Sequence, residues 1–307
     1  MSDIDVLMNQ EREDFKKMSR YISNPNPQQI LYNNTPLPDF LGLTPSEMES
    51  ILYDPFAGDS DFFIRHIPNS ELDKIPFFAL TEHLILLIYR DKSIKLTKKG
   101  YLPCKYCEEL LQQKFIEEKM YEWKIRKMSH EKYFSSITAA RLVLLYSGVI
   151  KADKGRLRIS DFGSYFLEEG RRFLLFREVF GAYCDDLLWA RLDGNGSSTL
   201  IGQAGFVFSL AMLKHYGNVS RPLTFYLNKY KKAFPQVGKH VTNYSFMSSE
   251  RQYIRCFSIR LFECFFRWFG LAKLDSEENI IEPEKMYYSK TNILDQYFAT
   301  PLIEEYL

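Results

Sequence analysis

Residues 134–167 constrain the fold of this 307-residue chain most, because hydrophobic patterns of two different periods follow each other there. An apolar pattern with helical spacing runs into Ser147-Gly148. Two short strand patterns then flank the charged turn Asp153-Lys154-Gly155, and a new helix is predicted from Asp161. The order helix, hairpin, helix is typical of a winged-helix unit.

The rest of the sequence predicts a mainly α protein with short β-hairpins. Winged-helix-like helix–hairpin–helix units would belong to a compact multi-helix body. Apolar spacing predicts a last helix from about Thr291 and earlier helices over residues 45–53, 76–91, 103–117, 171–188, 200–216, 221–234 and 249–270. Thr44 and Glu47 have the spacing of a capping box around Pro45, which indicates where the first of these helices begins.

Four segments are expected along the chain. Residues 1–42 combine a helix over 3–22 with an extended strap over 23–42, where prolines disfavour a helix. Residues 43–132 form a lobe with a first hairpin, and residues 133–192 form the winged-helix-like unit. Residues 193–307 form a C-terminal helical lobe with a third hairpin.

A short pattern recurs along the chain: apolar, basic, apolar, then Thr or Ser, two residues and Gly. It occupies residues 94–100 and 157–163, each time after an apolar helix. We interpret the two segments as related hairpin units, in which the hydroxyl caps the next helix and the glycine permits a tight junction. A looser third unit is expected over residues 249–281, with strands around the turn at 275–279.

Several of these segments, 41–56, 94–103, 137–163 and 201–217, resemble a family of uncharacterised bacterial proteins. Some members of that family carry or neighbour SEC-C or plasmid pRiA4b ORF-3-like domains. The resemblance implies no assigned activity and no catalytic residues. A SEC-C zinc segment needs a tail rich in cysteine and histidine, and residues 300–307 contain neither.

Charge and hydropathy limit the function classes. The formal net charge is +1, so nucleic-acid binding would have to depend on a local patch. No apolar run approaches the roughly 18 residues of a membrane helix, and we expect no membrane partner. The N-terminus lacks an apolar signal core, and the five cysteines do not form a disulfide framework. We therefore expect a cytoplasmic protein.

Basic residues provide the strongest binding signal. Phosphates of a nucleic-acid backbone would attract cations on the two hairpins and on the segment between them. The candidate nucleic-acid-binding residues are Lys95, Lys98, Lys99, Lys124, Arg126, Lys127, Lys154, Arg156 and Arg158. Interspersed glutamates allow the alternative that these cations form an ordinary solvated face. Within residues 134–167 the hairpin tip is a better binding candidate than the helix, which is mostly apolar.

The leading hypothesis is a non-enzymatic binding protein whose winged-helix-like modules bind nucleic acid or act in regulation. One alternative is a protein-interaction or scaffold subunit that binds no nucleic acid. Another is an enzyme with a carboxylate site near Asp185, Asp186 and Asp193, although Asp193 also suits a turn.

Cys104 and Cys107 form a CxxC motif, with His130 further along the chain. A structural zinc site requires four ligands, and the chain has no second CxxC. A redox motif would begin a helix in a βαβ setting, which the surrounding pattern does not predict. We interpret both cysteines as packing residues near the start of a helix. No catalytic residue, metal ligand or cofactor is predicted.

Overall fold

The computed structural model describes residues 27–58, 60–118, 130–194, 199–238, 248–279 and 282–303. It confirms a mainly helical protein with small antiparallel sheets. The chain divides into two compact units, residues 1–49 with 304–307, and residues 50–303. None of the helices in the described ranges is long and apolar enough to span a membrane.

The start of the described chain corrects one expectation. Residues 27–33 form helix α1 (Pro27–Asn33) where an extended strap was predicted. Proline at the first helical position loses no hydrogen bond, and Gln29 Nε2 donates to Asn33 Oδ1 at 2.8 Å one turn later. A 3₁₀ turn follows at Pro38–Phe40. The helix predicted over residues 3–22 lies outside the described residues.

The capping box of helix α2 (Pro45–Tyr53) is confirmed. Glu47 Oε2 accepts a hydrogen bond from the backbone N–H of Thr44 at 2.7 Å, and Thr44 Oγ1 accepts one from that of Glu47 at 3.2 Å. Strand β1 (Phe63–Ile64) and the one-turn helix α3 (Asn69–Leu72) come next.

In the described part of residues 76–159, α-helices alternate with strands, and the strands form one sheet. Their order is helix, strand, helix, helix, strand, strand: α4 (Pro76–Arg90), β2 (Ile94–Lys95), α5 (Cys104–Gln112), α6 (Ser135–Tyr146), β3 (Ile150–Asp153) and β4 (Arg156–Ile159). The last strand is the central one, and the sheet order is β2-β4-β3.

This sheet corrects the prediction of two separate hairpin units. Strand β2 has no hairpin of its own, because Ile94 pairs with Leu157 and Lys95 with Arg156. The segments 94–100 and 157–163 are therefore neighbours in one sheet. The buried side chains Ile94 and Leu157 explain why the pairing is favourable, since each is fully removed from water.

The chain continues with helices α7 (Asp161–Tyr165) and α8 (Arg172–Asp185) and a 3₁₀ turn at Trp189–Arg191. A second stretch, residues 206–290, follows them. In the described part of that stretch the same order of α-helices and strands recurs. It comprises α9 (Phe206–Tyr216), β5 (Arg221–Pro222), α10 (Leu223–Ala233), α11 (Ser249–Phe257) with its π-helical continuation Ser258–Arg267, β6 (Ala272–Leu274) and β7 (Tyr287–Lys290). The sheet order, β5-β7-β6, again places the last strand in the centre.

The third hairpin was predicted over residues 271–281 and is longer. Strand β6 pairs with β7, so that Ala272 lies opposite Lys290 and Leu274 opposite Tyr288. Helix α12 (Asn292–Tyr297) starts as predicted, with Thr291 Oγ1 accepting a hydrogen bond from Leu294 N. Strand β8 (Phe298–Ala299) then pairs antiparallel with β1 and joins the two ends of the unit formed by residues 50–303.

An aromatic cluster fills the interior of this unit. Phe180 of α8 lies 5.0 Å from the ring centre of Phe269 and 5.5 Å from that of Phe298. Trp189 packs on Phe265 at 4.7 Å, and its indole N–H donates to the Tyr183 carbonyl at 2.9 Å. Side chains from α8, the π-helical stretch and the C-terminal end therefore share one core.

Gly163 permits the tight junction that the repeated pattern predicted. A Cβ at this position would lie 1.9 Å from the carbonyl oxygen of Val149, which is backbone and cannot swing away. Ser160 fixes the same corner, because its Oγ accepts from Gly163 N at 2.7 Å and donates to the Gly148 carbonyl. Gly100 has a different role, since a Cβ there meets no atom but its φ is +79°.

Gly163→Ala is expected to lower the free energy of unfolding by about 2–3 kcal/mol, because the methyl group forces the helix α7 backbone away from Val149. Gly181→Ala is the matched control: Gly181 lies within α8 and an added Cβ meets nothing within 4 Å. That change should stabilise the protein by about 0.5–1 kcal/mol. Urea unfolding followed by circular dichroism measures both. Equal midpoints for Gly163→Ala and wild type would contradict the packing described.

Candidate nucleic-acid interface

The sheet β2-β4-β3 carries basic side chains on one side. Lys95 lies opposite Arg156, and Lys151 lies opposite Arg158. Because side chains alternate along a strand, these four point away from the face that buries Ile94 and Leu157. All four are exposed. The sheet register thus gathers cations that are up to 63 residues apart in sequence.

The turns at the end of the sheet add further cations. The β3–β4 turn places Lys154 and Gly155 at φ of 47° and 72°, as a two-residue hairpin turn of type I′ requires. The Gly155 carbonyl accepts a hydrogen bond from Leu96 N at 2.9 Å. The next residues, Lys98 and Lys99, form an exposed turn closed by Gly100 N donating to the Thr97 carbonyl. The two turns therefore lie side by side.

We call the exposed cations of the sheet and its two turns the basic face: Lys95, Lys98, Lys99, Lys151, Lys154, Arg156 and Arg158. Lys95, Lys98, Lys99, Lys154 and Arg158 form no ion pair within the described part of the chain. Arg156 donates to the neutral Ser93 hydroxyl at 3.1 Å, and Lys151 lies 3.8 Å from the exposed carboxylate of Asp161. Asp153 also lies on this side, opposite Arg156, so the surface carries an excess of positive charge that includes one acid of the hairpin.

Asp91, which precedes strand β2, is hydrogen-bonded to other side chains. Asp91 accepts hydrogen bonds from Arg90 Nε at 2.9 Å and from the Tyr106 hydroxyl at 2.7 Å. These bonds, chiefly that from Arg90, lower the pKa of Asp91 to about 2. Its charge is compensated by Arg90 and does not cancel that of the lysines.

Six of the nine predicted binding residues belong to the basic face, and the structure adds Lys151. The remaining three, Lys124, Arg126 and Lys127, lie outside the described residues. Lys151 belongs to the same hairpin as Lys154, Arg156 and Arg158. The convergence of residues 94–99 with residues 154–158 depends on pairing over a long sequence separation.

Helix α6 is held within the protein. Its buried side chains include Ile137, Ala140 and Val143, and Tyr146 at its end is the only residue of the helix that is exposed. Buried Arg141 donates from Nε to Glu131 Oε1 at 2.7 Å, and Glu131 Oε2 accepts from Leu102 N at 2.5 Å. A helix fixed in this way cannot enter a nucleic-acid groove.

The carboxylates of the predicted enzyme site have different surroundings. Asp193 is buried and accepts a hydrogen bond from Arg260 Nε at 2.6 Å, while Arg260 Nη1 donates to the Thr199 carbonyl. Asp186 is exposed at the end of α8. Across the described ranges, no group of three or more His, Cys, Asp or Glu side chains is placed to hold a metal ion.

The CxxC motif lies at the start of helix α5, as predicted. Cys104 is partly exposed, and its Sγ lies 3.4 Å from Nδ1 of His130. Cys107 is buried, and burial raises its pKa to about 12. The contact between Cys104 and His130 was not predicted, because 26 residues separate them and no sequence pattern links them.

Comparisons of the chain with protein-family models, with curated proteins and with solved structures found no match. The resemblance to an uncharacterised bacterial family stays a prediction.

Asp193→Asn is expected to lower the free energy of unfolding by about 3–5 kcal/mol, because the change leaves the buried guanidinium of Arg260 without its counter-ion. Asp61→Asn is the matched control at an exposed aspartate, where the change should stay within about 0.5 kcal/mol. Urea unfolding of both variants provides the measurement. A wild-type midpoint for Asp193→Asn would show that the ion pair does not contribute to stability.

Proposed function

We propose that residues 76–159 form a winged-helix unit and that residues 206–290 form a second one. The support is the order of elements, which is the same in both: helix, strand, two helices and a hairpin whose second strand is central. In this interpretation β3 and β4 are the wing of the first unit. The first strand, β2, extends the wing sheet by pairing with β4.

The proposed function of the protein is non-enzymatic binding of nucleic acid through the basic face. The observation that carries this proposal is the set of exposed cations on one sheet, five of which have no ion-pair partner in the described residues. Such cations attract backbone phosphates and release the counter-ions condensed on the nucleic acid. An enzymatic alternative at Asp193 has less support, because Arg260 already binds that carboxylate.

The proposed binding mode is contact with the backbone and not reading of bases. Sequence is read mainly by side chains that reach base edges in a groove, usually from a helix. Helix α6 occupies the position of the reading helix and is buried. The corresponding helix of the second unit, residues 249–267, buries its apolar residues in the same way. The wing is then the element left to contact a duplex.

The second unit differs in charge at its hairpin. The segment after β6 carries Asp275, Glu277 and Glu278, where the first unit has Lys154 and Arg156. Backbone phosphates would be repelled there. We therefore assign binding to the first unit alone, and the second hairpin provides a natural control.

Protein binding is a second candidate function, and one observation favours it. Helix α7 and the turn after it expose three apolar side chains, Phe162, Tyr165 and Leu167, at 49%, 45% and 42% of their surface. An exposed apolar group of this kind is typical of a surface that contacts another protein. This candidate corresponds to a scaffold subunit without nucleic-acid binding.

Lys99→Glu/Lys154→Glu is expected to weaken binding to a generic fluorescent DNA duplex by about tenfold or more, because two phosphate contacts become repulsive. The slope of the logarithm of the binding constant against that of salt concentration should fall by about 2. Fluorescence anisotropy titrations between 50 and 200 mM salt, roughly the range over which backbone contacts dominate, measure both quantities.

The matched control is Lys273→Glu/Lys285→Glu, which makes the same charge change on exposed lysines of the second hairpin. Its affinity should equal that of the wild type. If wild-type protein shows no salt-sensitive binding at low ionic strength, the nucleic-acid proposal is rejected. A stoichiometric protein partner that survives nuclease treatment and is lost in Phe162→Ala/Tyr165→Ala would then support the second candidate.

A further inference from the structure

Cys104 differs from the other four cysteines in its surroundings. All five are free thiols. Cys107, Cys184, Cys256 and Cys264 are buried, whereas Cys104 is partly exposed at the first position of helix α5. Only a thiol that solvent reaches can react with a dissolved reagent, so Cys104 is the candidate for chemistry.

The imidazole of His130 lies next to the Cys104 thiol. His130 Nδ1 is 3.4 Å from Cys104 Sγ, within the range of a hydrogen bond to sulfur. In the neutral imidazole with Nδ1 unprotonated, the thiol donates to it and can transfer its proton there. A cysteine paired with a histidine in this manner is activated as a nucleophile, since the thiolate is the reactive form.

Positive charge lies close to Cys104. The backbone N–H groups at the start of the nine-residue helix α5 carry partial positive charge, and Lys105 is the next residue. Cys107 lies on the same helix as a neutral thiol. Glu131 follows His130, but Arg141 and Leu102 N already bind its carboxylate. The charge of Glu131 is therefore compensated.

We propose that Cys104 is a modification site, at which His130 activates the thiol for exchange with a low-molecular-weight disulfide such as glutathione disulfide. The Cys104 proton passes to His130 Nδ1. The thiolate attacks one sulfur of glutathione disulfide, so that a bond from Cys104 Sγ to that sulfur forms as the bond between the two glutathione sulfurs breaks. One glutathione leaves as a thiolate and takes a proton from the imidazolium or from water. No electrons enter from outside.

Cys107 is expected to leave the mixed disulfide intact. An attack on it requires a thiolate, and the buried Cys107 holds its proton with a pKa of about 12. Its thiol instead donates weakly to the Leu102 carbonyl at 3.9 Å. In this proposal the CxxC motif contains one reactive cysteine, Cys104, and one structural cysteine, Cys107. This proposal does not depend on nucleic-acid binding.

Limited alkylation with iodoacetamide tests the activation. In the full-length reduced protein, peptide mass spectrometry should find Cys104 alkylated about tenfold faster than any other cysteine. Its rate should rise with pH, because the thiolate is the form that reacts. Equal labelling of all five cysteines overturns the proposal without reference to any variant.

His130→Gln should slow the alkylation of Cys104 about tenfold at pH 7 and change the dependence of its rate on pH, because the proton acceptor is lost. His66→Gln is the matched control, since the His66 ring packs on Phe173 at 4.9 Å. That variant should behave as wild type. A wild-type rate for His130→Gln would show that the imidazole does not act on the thiol.

Incubation with glutathione disulfide tests the product. Intact-mass analysis should show one added glutathionyl group, which is absent in Cys104→Ser. If the protein gains no group, or instead loses two hydrogens by forming a bond between Cys104 and Cys107, the proposal is overturned.

Discussion

Pairing of the two-residue strand β2 with β4 is the interaction on which the organisation of residues 76–159 depends. Ile94 and Leu157 meet across it, and both are completely buried. Burial of two such side chains contributes about 3–6 kcal/mol, far more than two backbone hydrogen bonds between exposed strands. The same register sets Lys95 beside Arg156 on the opposite side. The buried contact between Ile94 and Leu157 thus determines the positions of the cations, although no cation takes part in that contact.

Two buried ion pairs anchor corresponding helices of residues 76–159 and residues 206–290. Arg141 of α6 binds Glu131, and Arg260 of the π-helical stretch binds Asp193. In both pairs the acid comes from a segment that precedes the helix in sequence. Removing either partner would leave an uncompensated charge away from water, which is costly. These pairs hold the two helices inside the protein, and for that reason the proposed binding surface is the basic face.

Sequence patterns predicted individual elements well where one residue type has one physical role. The capping box of Thr44 and Glu47, the helix start at Thr291 and the close junction at Gly163 follow from local chemistry. The prediction of an extended strap over residues 23–42 was wrong at residues 27–33, because a proline at the first helical position is compatible with a helix. The predicted bounds of the third hairpin were wrong because its second strand lies at residues 287–290, beyond a long connection.

The sequence by itself determined the helical class, the hairpin at residues 150–159 and the basic character of residues 95–99 and 154–158. Helix periodicity, turn residues and charge are properties of neighbouring residues, so they can be read from the chain alone. Only the tertiary structure decided that these segments form one sheet, that Asp193 belongs to an ion pair and that His130 touches Cys104. Each of these joins residues separated by 26 or more positions, where the contact is selected by packing of the whole core and leaves no local pattern.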